Sequence, residues 1–124
     1  MSELISVGFT LLGRNGNFNW IDTSEITDMH YLFYDSPNFN GHIELWDVSN
    51  VTNMKGLFWE AESFNQDISN WDVSNVTNMH RMFLTAESFN QDISKWDVSN
   101  VKYNKEIFKD CYIKDEFKPK FNYE

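Results

Sequence analysis

The chain has 124 residues, 41% hydrophobic and 17% aromatic, with a formal net charge of −9. That is room for one domain and too little for two, and the aromatic-rich composition excludes a disordered chain. Residues 1–100 carry four basic and fourteen acidic side chains, so this body repels phosphate backbones and nucleic acid is not an expected partner.

At the N-terminus Glu3 stands where a signal peptide wants positive charge, and the apolar stretch Leu4–Leu12 is broken by Ser6, Gly8 and Thr10. Neither a signal peptide nor a membrane span is expected. The stretch reads as an added strand that covers the open end of a repeat array, giving an N-terminal cap over residues 1–20. Repeats then occupy residues 21–100. Ala61–Val76 (A-E-S-F-N-Q-D-I-S-N-W-D-V-S-N-V) recurs 25 residues later at Ala86–Val101 with one change, Asn70 to Lys95. A fixed period of that length denotes one small unit placed against copies of itself. The period aligns Trp46, Trp71 and Trp96; Phe39, Phe64 and Phe89; Ile43, Ile68 and Ile93; and Phe33, Phe58, Phe83 and Phe108.

Within one copy, Val76, Met79 and Phe83 form an apolar stripe at i, i+3 and i+7, which predicts short helices near Val51–Phe58 and Val76–Phe83. Ser74-Asn75 and Thr77 mark the start of the second. Trp and Val alternate with polar neighbours at Trp46–Val48 and Trp71–Val73, which predicts short strands. Neither element buries its apolar face alone, so the expected fold is an α/β solenoid, a leucine-rich-repeat-like stack of 25-residue coils with one short helix and one short strand per coil. Residues 101–124 break the pattern (Met79 becomes Asn104, Phe89 becomes Lys114, Ile93 becomes Lys118), and Ile107, Phe108, Tyr112, Phe117 and Phe121 read as a C-terminal cap. The lone Cys111 excludes an intrachain disulfide and mildly favours a reducing compartment.

The run F-N-Q-D-I-S-x-W-D-V-S-N-V-T-N-M, followed by a segment ending in M-F, resembles the repeat of the BspA-like leucine-rich-repeat surface proteins of bacteria, mycoplasmas and some viruses. The likeness covers roughly residues 26–108. It implies a repeat fold used for surface display or adhesion, at a cell surface or on a virion, with no enzymatic activity. It transfers no binding residues, because the family motif is the core itself.

Candidate chemistry is sparse. Asp22, Asp47, Asp72 and Asp97 form one acidic column and Asp67 and Asp92 another. Stacked carboxylates invite calcium, but D-V-S-N lacks the dense Gly-Asp loop of calcium-binding repeats and fits turns in which Asp accepts from its own backbone. His30 and His80 sit two copies apart, too far to share a metal, and no nucleophile–base set or phosphate-binding loop can be assembled. Asn50-Val51-Thr52 and Asn75-Val76-Thr77 match the glycosylation acceptor, yet the repeat itself forces them.

Positions where copies differ are released from the repeat, and specific function belongs there. These are Gly41/Gln66/Gln91, Leu45/Asn70/Lys95, His30/Lys55/His80, Tyr31/Gly56/Arg81 and Tyr34/Trp59/Leu84/Lys109. The last stays large and mostly apolar just past the buried Phe. It is either an exposed aromatic patch for a partner or a ring folded back to finish the core. The functional expectation is a non-enzymatic module that binds protein or glycan, or forms part of a surface or particle, with Tyr34, Trp59, Leu84, Arg81 and Lys95 as candidate partner-binding residues. A glycan-binding module using exposed aromatics and a hydrolase of unknown class are the alternatives. No cofactor and no metal is called for; ligand, compartment and oligomeric state stay open.

Overall fold

Backbone hydrogen bonds carry the 25-residue period in the computed structural model, which describes residue 13 and residues 15–122. The expected strand over Leu4–Leu12 lies outside the described residues. In residues 54–60 alternate N–H groups point along one direction, from Met54 to Asn78 O (2.9 Å), Gly56 to His80 O (2.8 Å), Phe58 to Met82 O (2.8 Å) and Glu60 to Leu84 O (2.9 Å). The intervening N–H groups close tight turns, Leu57 onto Met54 O, Trp59 onto Gly56 O and Ala61 onto Phe58 O. The copies before and after repeat this arrangement, with Met29 bonding Asn53 and Met79 bonding Tyr103.

This overturns the α/β expectation. Among the described residues there is no α-helix and no strand, and the one regular element is the 3-10 turn η1, Asp115–Phe117. The leucine-rich-repeat-like α/β solenoid with a short helix and a short strand per coil does not form. An α-helix returns each N–H to the carbonyl four residues earlier in its own segment. Here the N–H groups of Met79, Arg81, Phe83 and Thr85 go instead to Tyr103, Lys105, Ile107 and Lys109. That direction requires left-handed backbone twice per copy, at Tyr31, Gly56, Arg81 and Glu106 and again at Asp35, Glu60, Thr85 and Asp110, with φ between 54 and 62°. The expected strand at Trp71–Val73 fails for a different reason. Ser74 N–H donates to Asp72 Oδ1 (3.0 Å) and Val76 N–H to Val73 O (3.0 Å), so turns consume the donors that a sheet ladder needs. What remains of sheet is isolated parallel bridges, Asn17–His42, Asp28–Asn53, Asn53–Asn78 and Asn78–Tyr103.

Tight turns at regular spacing still bring one residue type inward at each corner. Phe33, Phe58, Phe83 and Phe108 lie ring on ring at 5.7, 5.4 and 5.6 Å, and Phe39, Phe64 and Phe89 do so at 5.7 and 5.9 Å. The two ladders touch each other at 4.0–4.4 Å between centroids. The Trp column closes the third side, and Trp71 is only 4% exposed. Its indole Nε1–H donates to Ile43 O (3.2 Å), as Trp46 does to Phe18 O and Trp96 to Ile68 O, so each ring satisfies its polar edge on the preceding copy. Thr23 replaces Val in the Val48/Val73/Val98 column and stays buried because its hydroxyl donates to Asp47 O (2.9 Å).

Asparagines join the copies at the rim. Asn65 N–H donates to Asn40 Oδ1 and Asn90 N–H to Asn65 Oδ1, each 25 residues back. Lys114 N–H continues the series onto Asn90 Oδ1 at a separation of 24. The last copy is thus one residue short here, which puts the buried Ile113, and not Lys114, in step with Phe89.

Candidate functional site

The acidic columns are turn residues. Asp22, Asp47, Asp72, Asp92 and Asp97 each accept the backbone N–H and the hydroxyl of the serine two positions on, and Asp67 accepts Ser69 N–H. The serine hydroxyl, then its N–H, holds the carboxyls of Asp22, Asp47, Asp67, Asp92 and Asp97 below the usual range. Among the described residues no group of three His, Cys, Asp or Glu side chains is placed to hold a metal ion. Cys111 is half-buried with Sγ 3.7 Å from Phe89 O, and burial pushes its thiol up.

The divergent columns form a surface. Tyr31, Tyr34 and Trp59 enclose one another at centroid distances of 5.8, 6.1 and 4.9 Å, all tilted near 50°. Tyr31 and Tyr34 are 37% and 44% exposed, while Trp59 is half-buried between them. Gly56 makes the arrangement possible, since a Cβ there would collide with the Tyr31 ring. The Arg81 guanidinium lies 5.4 Å from the Trp59 centroid and Lys55 Nζ lies 5.7 Å from that of Tyr31, both within cation–π range. Glu106 anchors Arg81 through Nε (3.0 Å) and is also approached by Lys109 (3.4 Å). The Arg81 hydrogen bond is the main reason that the Glu106 carboxyl lies below its ordinary range.

Beside the rings, Lys55, His80, Arg81 and Lys105 line a cavity of about 160 Å³. His80 Nδ1 accepts Lys105 N–H (2.9 Å), which places the proton of the neutral ring on Nε2. Burial, with the positive charges of Lys55, Arg81 and Lys105 adding to it, lowers the His80 pKa. A larger concavity of about 590 Å³ lies at the C-terminal end, bordered by Phe108, Phe121, Asp115 and Lys118 among others. Its lining mixes charges of both signs, and Lys118 already pairs with Asp115 at 2.9 Å.

Of the candidate residues, the structure brings together Tyr34, Trp59 and Arg81. Leu84 takes the place of Trp59 in the following copy and is half-buried. Lys95 stands elsewhere, in the turn Ile93–Trp96 beside Asp92. Tyr31, Lys55 and His80 were visible as divergent positions but not as members of one face. Lys105 and Glu106 extend those same columns by one more step of 25.

The chain matches a protein-family profile over residues 7–121, and the family is described as "Mycoplasma protein of unknown function, DUF285". It belongs to that family. Comparison with curated proteins and comparison with solved structures gave no match. No helix among the described residues is long and apolar enough to cross a membrane.

Proposed function

We propose that the chain is a non-enzymatic interaction module of the BspA-like repeat type, engaging a glycan or protein through the face built by Tyr31, Tyr34, Trp59 and Arg81. The observation that supports it is the contiguity of these rings at the surface. The Phe and Trp ladders are buried, Phe108 only partly, and the other exposed Trp and Tyr rings among the described residues, Trp20, Tyr103 and Tyr112, lie outside residues 21–100. Exposed rings backed by an anchored arginine are the chemistry that dominates binding energetics. A role without catalysis also fits the carboxyls, since among the described residues each one with a displaced pKa lies below its usual range through turn or ion-pair partners.

The test is a glycan array with the full chain, followed by affinity and melting measurements on Trp59→Ala. Binding should weaken about tenfold or more, the range of an interface hot spot. Unaltered affinity in Trp59→Ala removes the aromatic face from the function. Display on a surface or particle is part of the same proposal, and the family resemblance is its support.

A further inference from the structure

We propose that this face takes an acidic sugar, with its carboxylate or sulfate group in the cavity between Lys55, His80, Arg81 and Lys105 and its pyranose ring against Trp59 and Tyr34. This deepens the interaction reading above and rests on it.

Charge distribution is the first argument. Residues 1–100 hold only four Lys or Arg side chains, Arg14, Lys55, Arg81 and Lys95, and two of them meet at this cavity. Lys105 adds a third cationic side chain to the cavity, beside Arg81 with its Glu106 partner and the neutral His80, in a chain of net charge −9. Among the described residues no carboxylate lies within 4.0 Å of Lys55 Nζ or Lys105 Nζ, so no acid among those residues matches these two ammonium groups. Like charges gathered without an internal partner repel, and an anion from outside relieves the repulsion. His80 adds a neutral donor, Nε2–H, from the tautomer that Lys105 N–H selects.

Geometry narrows the anion to one carried on a sugar. Arg81 belongs to both parts of the face, lining the cavity and standing over Trp59 at 5.4 Å. A ligand that fills the cavity with an anionic group therefore meets an aromatic ring at the next step, the pairing that acidic carbohydrates need. An extended acidic peptide fits less well, because such peptides bind by adding main-chain hydrogen bonds to a free edge. Here Gly56 N–H and Arg81 N–H are already directed to His80 O and Lys105 O. The cavity of about 160 Å³ also suits one small group better than a strand.

The experiment titrates the full chain, by calorimetry and by amide NMR, with four probes. These are an unsulfated chondroitin hexasaccharide, its sulfated counterpart, the neutral chitohexaose and an Asp/Glu-rich heptapeptide. Either acidic oligosaccharide should bind about tenfold or more tightly than chitohexaose, weaken as salt rises, and shift the Lys105 amide and the His80 ring. Comparison of the two acidic arms tells carboxylate from sulfate. The double variant Lys55→Ala/Lys105→Ala should lose that preference with its melting temperature unchanged. Chitohexaose binding as tightly as the acidic probes overturns the anion site while leaving the aromatic face standing. An unaffected double variant, a peptide that binds as tightly, or no binding by any probe overturns this inference, and the last leaves the broader reading to the array and the Trp59→Ala measurement.

Discussion

Position 60 separates the turn ladder from a helix by the sign of one comparison. Glu60 has φ 62°, donates its N–H to Leu84 O (2.9 Å), and is half-buried at the end of the run from Met54. Both Glu60→Gly and Glu60→Ala remove the same carboxylate, so comparing the two variants cancels its loss. In a left-handed conformation Ala suffers a clash between Cβ and the following carbonyl of roughly 1–2 kcal/mol that Gly lacks. Glycine's greater freedom in the unfolded chain offsets about 0.4–1 kcal/mol of that. The Gly variant should therefore be the more stable by up to about 1.6 kcal/mol, or about 6 °C in melting temperature for a domain of this size. Were residues 54–60 helical, Ala would win by about 1 kcal/mol. Urea denaturation followed by tryptophan fluorescence reads the difference directly. An Ala variant more stable than the Gly variant refutes the turn ladder.

Three further outcomes are expected of the same structure. Trp71→Ala should cost about 3–5 kcal/mol, the range for large aromatic deletions, because the ring is buried; Ile43 O keeps a second donor in Trp46 N–H, so no orphaned carbonyl adds to the loss. A melting temperature within a few degrees of wild type would show that this ring is not core. Calcium in excess should leave melting unchanged, whereas a ligand at a hundred times its dissociation constant would add about 2.7 kcal/mol. Stability should begin to fall below about pH 6.5, where His80, depressed in the folded chain, takes up its proton more readily unfolded, and fall further as the carboxyls titrate. The Asp22, Asp47, Asp67, Asp92 and Asp97 carboxyls are depressed in the folded chain, so their contribution is present above the unfolded value of about 3.9 and lost as pH drops through the folded ones. Melting that is insensitive between pH 5 and 2 would contradict the serine–aspartate turns.

Burial was legible in the sequence because a period of 25 assigns each apolar column one environment, and the Phe and Trp columns are inside. Secondary structure was not. Apolar residues at i, i+3 and i+7 line a helix, but consecutive tight turns closing at i+3 point the same residues inward. What separates the two is backbone handedness, and glycine is the residue that normally announces a left-handed position. Of the eight left-handed positions in the repeats only Gly56 is glycine; Tyr31, Arg81, Glu106, Asp35, Glu60, Thr85 and Asp110 give no such signal. The alternation of Trp71 and Val73 misled similarly, since the Asp72–Ser74 turn curls what alternation alone would extend. For the candidate site, divergence between copies pointed to Tyr34, Trp59 and Arg81, but divergence has no direction in space. It could not tell that Lys95 falls on a different turn, nor that Lys55, His80 and Lys105 meet Arg81.

Divergence also does not mean independence from the fold. If the column of Tyr31 repeated faithfully, four tyrosines would stack and fill the surface. Instead Gly56 follows Tyr31 and leaves room for its ring, Arg81 follows Gly56 and reaches Trp59, and Glu106 follows Arg81 and holds its guanidinium. Each departure is complemented by the next copy along. The aperiodic residues form a chain of pairwise contacts laid over a periodic core. Leaving out a side chain in one copy makes room for a neighbour, and at Gly56 the Tyr31 ring takes that room. A change at Tyr31 is therefore expected to act through Gly56 and Trp59 on the whole face, so single substitutions here should couple, while those in the Asp columns should not. Double-mutant cycles on Tyr31 and Trp59 against Tyr31 and Asp97 measure that coupling, and near-zero coupling in the first pair would separate the rings from one another.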